Sequence, residues 1–131
     1  DQDIGKIYEK EKKEYYLKNL KIVDTLFKKA KNPIIYISHN VPWKTKLDEI
    51  RNPSSPRNGQ HMGSRVTREL TLKHKPIITI GSHIHENFGQ DILGETPIVN
   101  AGFEGDCNTL VTFKDGKLKN IEFKGATPIY P

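Results

Sequence analysis

Two stretches decide the fold: IIYISHNVPW at residues 34–43 and KPIITIGSHIHENFG at residues 75–89. Each contains a short β-branched apolar run, IIYIS at 34–38 and PIITIG at 76–81, and each run is followed closely by histidine. Runs that are apolar on both faces read as strands of a parallel sheet, buried front and back. Between them, HMGSRVTRELTLKH at residues 61–74 suits a short helix carrying Met62, Val66, Leu70 and Leu72. Its register is loosened by Thr67 and Thr71, which are poor helix formers. Strand, helix, strand at this spacing predicts a βαβ unit with a right-handed crossover and parallel strands.

Working outward, the long polar segment 40–60 holds Pro42, Pro53, Pro56 and Gly59. Loops of that length are usually functional or mobile. Toward the C-terminus the pattern changes to short strands near residues 90–93, 97–100, 109–114 and 117–123. Asp115-Gly116 between the last two is a strong two-residue hairpin signal. The fold class is therefore α/β, a βαβ unit followed by antiparallel strands. Toward the N-terminus, residues 3–31 read as a helix. Ile4, Ile7, Tyr8, Tyr15, Leu20, Val23, Leu26 and Phe27 form a broken 3.6-residue stripe that loosens around residues 9–14 and sets the first two turns apart. Asn32-Pro33 ends the helix. Two parts result: a Lys-rich helix over 1–32 and an α/β part over 33–131.

At 131 residues the chain holds at most one domain with a real core. Apolar residues are 34% and charged residues 28%, and no apolar run reaches the roughly 18 residues that span a membrane. No signal peptide is visible. Cys107 is the single cysteine, which excludes a disulfide framework and a cysteine-based zinc site within one chain. A reducing cytoplasm is the expected location. The 21 basic against 16 acidic residues leave a net charge of +5, which permits an anionic partner without requiring one.

Five histidines are present: His39, His61, His74, His83 and His85. Ligands in open α/β sheets bind beyond the carboxyl ends of parallel strands. His39 follows the first strand there, and His83 and His85 follow the second. All three are expected to converge as metal ligands, since neutral imidazole suits zinc, iron, manganese and nickel. Three histidines can hold one zinc with an open position. A two-metal site needs a bridging carboxylate besides, and Glu86, Asp91, Glu104 and Asp106 stand nearby in no ligand pattern. His74 reads as a surface residue. His61, in NGQHMGS at the expected helix start, is a candidate for substrate contact or ligand support, with Ser64 as the helix cap.

The strings IIYISHNVPW, KPIITIGSHIHENFG and GETPIVNAG (94–102) resemble the second half of a calcineurin-like metallophosphoesterase. In that family a strand ends in His followed closely by Pro, a later strand ends in Gly-His-x-His, and Asn-x-Gly follows a short hairpin. The likeness covers about residues 33–124, and NGQHMGSRVTREL at 58–70 resembles a linking segment of an archaeal-type branch. It implies a layered α/β/β/α sandwich of which this chain forms the C-terminal half. It implies two divalent ions (Mn, Fe, Zn, Ni or Mg). His39 and His83 would bind one ion and His85 the other, while Asn100 and Gly102 shape the floor of the site. Asn40 and His61 are candidates for substrate contact. Ser82 departs from the pattern, standing where the family has Gly, with Gly81 one place earlier.

The family's Asp-x-His, Gly-Asp-x-x-Asp and Gly-Asn-His motifs are absent, and with them the bridging carboxylate, an Asn ligand and the catalytic acid His. The chain begins at Asp1, not Met, and the missing motifs are expected upstream of it. The implied activity is hydrolysis of a phosphate ester, with a nucleotide or nucleic acid as a candidate substrate and no membrane partner. An isolated chain would lack turnover, because its catalytic residues lie in the missing half. That half, or a second copy of the chain, is the expected partner for the uncovered sheet. Two alternatives stay open: a non-catalytic binding or scaffold module of the same fold, and a mononuclear metal protein using His39, His83 and His85.

Overall fold

The computed structural model describes residues 2–131, with side chains described from residue 9 onward. Two compact units separate near residue 30. The first is a single helix, α1 (Gln2–Lys29), unbroken through the stretch where the apolar stripe loosens. The side chains of Ile4, Ile7 and Tyr8 in that stripe lie outside the described residues. Lys28 pairs with Asp24 one turn earlier at 2.7 Å, and weaker pairs join Lys10 to Glu14 and Lys12 to Glu9. The two exposed pairs contribute only a few tenths of a kcal/mol each, roughly, to helix stability, while in the third the Asp24 side chain is largely covered.

The second unit is mixed α/β. Its elements run β1 (Ile35–Asn40), α2 (Arg65–His74), β2 (Ile78–Ser82), a 3₁₀ turn (His85–Asn87), β3 (Gly89–Leu93), β4 (Thr96–Asn100), β5 (Cys107–Lys114) and β6 (Lys117–Gly125). One four-stranded sheet has the order β1-β2-β4-β3, and β5 and β6 form a separate two-stranded sheet. β1, β2 and β4 are parallel neighbours, and β3 closes the far edge antiparallel to β4. The βαβ unit and the antiparallel ending are as the sequence pattern predicts. Asp115 and Gly116 have φ of 52° and 70°, the positive values that a tight I′ hairpin turn requires.

α2 starts four residues later than the pattern suggests. Ser64 is its N-cap and accepts a hydrogen bond from the Thr67 amide. Thr67 and Thr71, weak helix formers by propensity, are buried, and their hydroxyls face the sheet. Thr67 Oγ1 lies 2.9 Å from Ser38 Oγ on β1, and Thr71 Oγ1 lies 2.9 Å from Thr79 Oγ1 on β2. Tertiary hydrogen bonds thus outweigh local preference at both positions. Leu72, expected on the buried face, is exposed.

The segment after β1 is neither simply polar nor loose. Val41 and Leu47 are fully buried and join Ile84, Leu93 and Ile98 in the core, with Ile50, Met62 and Tyr130 packed against them. Residues 129–130 lie beside β3, where the Gln90 amide donates to the Tyr130 carbonyl at 2.7 Å.

Candidate functional site

β1 and β2 bring their carboxyl ends together because a glycine lets them. A Cβ on Gly81 would stand 2.7 Å from Val41 N and 2.8 Å from the Asn40 carbonyl carbon. Immediately beyond, His83 adopts φ 74°, a left-handed conformation unusual for a residue with a side chain. Such backbone is held by its surroundings, and the surroundings are visible. Ser82 Oγ donates to the Gly102 carbonyl, Asn100 Nδ2 donates to the Ile84 carbonyl at 2.6 Å, and the Gly102 amide donates to Asn100 Oδ1. Asn100 is fully buried. Gly102 has φ 95°, and a Cβ there would stand 2.7 Å from Cys107. Asn100 and Gly102 therefore act beneath the loop, as buttresses of residues 82–85. Ser82, the departure from the family pattern, supplies one of these ties.

The result is a pair of imidazoles. His39 Nε2 lies 3.1 Å from His83 Nδ1, with ring planes inclined by 57°. Both rings are solvent-exposed. At this distance one imidazole can donate a hydrogen bond to the other. The same separation suits two nitrogens on one divalent ion. The pair therefore fits a shared ion. Asn40, next in sequence, donates from Nδ2 to the Met62 carbonyl at 3.0 Å. Its Oδ1 is buried without a partner among the described residues.

His85 stands apart from the pair. It opens the 3₁₀ turn and stacks on Phe103 at 4.5 Å between ring centroids, with planes inclined by 9°. The single cluster of three histidines expected from spacing does not form. Among the described residues no group of three His, Cys, Asp or Glu side chains is placed to hold an ion. The cause is local: the left-handed turn at His83 and the 3₁₀ turn that follows redirect the chain, so two histidines two residues apart diverge. Of the nearby carboxylates, Asp91 accepts from the Lys46 and Ile92 amides, while Glu86, Glu104 and Asp106 are exposed.

His61 is not at a helix start. It lies in a bridge with Glu49, and its Nδ1 is 2.8 Å from Asp48 Oδ1. Asp48, absent from the sequence-derived candidates, is fully buried and accepts from the amides of Lys44, Thr45 and Gly63 as well. Gly63 is required by this arrangement, since a Cβ there would stand 2.8 Å from Asp48 Oδ2. The signal available in the sequence was faint: Thr45 and Asp48 three apart, a spacing at which side chains bond local backbone. Phe103 and Asn87 were also missed. Asn87 donates to the Glu49 carbonyl at 2.6 Å and so ties the 3₁₀ turn to the loop. His74 borders a hollow of about 430 Å³ with Asn32, Lys75 and Asp115, at the amino ends of β1 and β2 and away from the imidazole pair.

No family model matches the chain. No curated protein matches it either. Solved structures do. One crystal structure is 24% identical, with a TM-score of 0.57 over 86% of this chain and 40% of its own. The crystal structure of TT1561 of Thermus thermophilus is 20% identical, with a TM-score of 0.49 over 79% of this chain and 39% of its own. The first likeness supports the mixed α/β fold. The chain spans about two-fifths of the length of either structure.

Proposed function

We propose that the chain is the C-terminal half of a metal-dependent phosphoesterase of the calcineurin-like type. His39 and His83 would hold one divalent ion and His85 a second. The observation that carries this reading is the His39–His83 nitrogen pair at 3.1 Å, with His85 stacked elsewhere on Phe103. The family resemblance likewise groups His39 with His83, and the role of His85 on a second ion rests on that resemblance. Divalent ions bound there would polarise a phosphoryl oxygen and lower the pKa of a bound water. The chain's own residues orient ligands: Asn100 and Ser82 hold the 82–85 loop, and the approach permitted by Gly81 sets the spacing of the pair.

The sheet is read as half of a layered sandwich. Ser38 faces α2, so Ile35 and Ile37, alternating with it, face the other way. They are 43% and 74% exposed, and Ile92 on β3 is 69% exposed. A second apolar layer, from the missing half or a second copy, would cover them. The remaining three-fifths of the matched crystal structure is chain enough for such a layer.

Calorimetric titration with Zn²⁺ or Mn²⁺ tests the ligands. His39→Ala and His83→Ala should each weaken the same ion at least tenfold, while His85→Ala leaves that ion in place. Equal binding by all variants would sink the assignment. Hydrolysis of bis(p-nitrophenyl) phosphate is then assayed in a longer protein that carries the missing motifs. Metal binding without turnover there would favour the non-catalytic scaffold.

A further inference from the structure

We propose that His61 is a phosphate-contacting residue of the same site, donating from Nε2 to an oxygen of the bound ester, with Asp48 as its positioning residue. The proposal rests on the phosphoesterase reading and gives His61, there only a candidate for substrate contact, a defined role and a support.

Placement comes first. The backbone at His61 is bracketed by two ties, one to the end of β1 that carries His39 and one to the 3₁₀ turn that carries His85. On one side the Met62 carbonyl accepts from Asn40, which follows His39. On the other, His61 bridges Glu49, whose carbonyl accepts from Asn87, two residues beyond His85. The Ser64 amide and carbonyl bond Val41 and Trp43, which keeps residues 61–64 beside the carboxyl end of β1. His61 thus sits between the post-β1 and post-β2 loops.

Chemistry comes second. With Nδ1 2.8 Å from a buried carboxylate, Nδ1 carries a proton and the ring is fixed in orientation. The side chain is 34% exposed and Asp48 fully buried, so the carboxylate acts as a support, and Nε2 has no hydrogen-bond partner among the described residues. A protonated ring donates on both sides, to Asp48 and to an external oxygen.

Charge comes third. Residues 41–64 hold four Lys and Arg against two acids. Both acids are engaged, Asp48 as above and Glu49 with Arg51 at 3.1 Å. What remains outward on this loop is positive, including Lys44 and Lys46, and Arg65 lies 4.2 Å over the Trp43 ring beside it. Such a rim attracts an anion. A purely structural role, pinning the loop through Asp48, would use Nδ1 alone.

The test is histidine-ring NMR of the ¹⁵N-labelled chain, titrated with Zn²⁺ and then with inorganic phosphate. Zn²⁺ should shift His39 and His83 and leave His61 unmoved. Phosphate added to the zinc form should shift His61 Nε2. His61→Asn should keep zinc affinity within twofold and lose phosphate affinity by about tenfold or more, the range for a hydrogen bond to a charged group. Asp48→Asn should shift the His61 ring ¹⁵N resonances and lose phosphate affinity to a similar degree, non-additively with His61→Asn. If Zn²⁺ shifts the pair but phosphate leaves His61 unmoved, or His61→Asn binds phosphate as the parent does, the proposal is overturned and the phosphoesterase reading stands. If Zn²⁺ moves neither His39 nor His83, that reading fails and takes this proposal with it.

Discussion

Replacing Gly81 by alanine should loosen both the sheet and the imidazole pair. The added Cβ would meet Val41 N at 2.7 Å, the Asn40 carbonyl carbon at 2.8 Å and the Asn40 oxygen at 2.9 Å. All three are backbone atoms, so no side chain can swing aside. To restore ordinary contact the end of β1 must retreat by roughly 0.7 Å. Overpacking of this kind costs about 1–3 kcal/mol. Gly-to-Ala replacement also stiffens the unfolded chain, which offsets about 0.4–1 kcal/mol. The net expected loss is about 1–2 kcal/mol. With a urea m-value of about 1–3 kcal/mol/M, the unfolding midpoint should fall by roughly 0.3–2 M. Because Asn40 follows His39, the same retreat widens the 3.1 Å pair, and zinc affinity should fall with it. Gly81→Ala with a midpoint within roughly 0.2 M of the parent would refute the steric reasoning. A lowered midpoint with unchanged zinc affinity would refute only the link between strand spacing and the pair.

Other outcomes follow from single contacts. Thr71→Val and Thr79→Val should each cost about 1–2 kcal/mol by stranding a buried hydroxyl. The double variant should cost less than the sum, and additivity in a urea double-mutant cycle would count against the hydrogen bond. Ser64→Ala should lose about 1 kcal/mol of stability through the missing cap on the Thr67 amide, read by urea denaturation, with Ser64→Asp restoring it. The hydrogen bond and charge of Lys75 hold the Glu95 carboxyl below its ordinary value of 4.5. The stability this lends is present above that value and is lost as pH falls through the lowered one. Glu95 is fully exposed, so the effect is small and screened by salt. Melting curves of Glu95→Gln and the parent should therefore converge in acid, and a gap that persists there would contradict the pairing.

The strands were legible because a β-branched apolar run has few other uses. IIYIS and PIITIG became β1 and β2 within a residue or two, and Asp115-Gly116 turned where the dipeptide predicts. What stayed hidden lacks a period. Val41 and Leu47 reach the core from a segment whose neighbours are Pro, Lys and Thr, so no alternation marks them. Asp48 is buried by donors from both ends of its loop, at Lys44 and Thr45 and then at His61 and Gly63. Fifteen residues separate the farthest of these, Asp48 and Gly63, and no local pattern carries that pairing. Thr67 and Thr71 misled in the opposite sense, because propensity scores the isolated helix while their hydroxyls answer to the sheet.

The same distinction separates the two kinds of histidine information. That His39 and His83 meet follows from topology: parallel neighbouring strands end on one side of a sheet, and each carries its histidine there. That His85 does not join them follows from backbone dihedrals, chiefly φ 74° at His83, which no residue type in GSHIHEN announces. The conformation is held from below, by Asn100 on the Ile84 carbonyl and Ser82 on the Gly102 carbonyl. A site built this way should respond more to changes in its floor than to changes on its rim. Asn100 is fully buried and its hydrogen bonds run to Ile84 and Gly102, not to either imidazole of the pair, yet it holds the backbone next to His83.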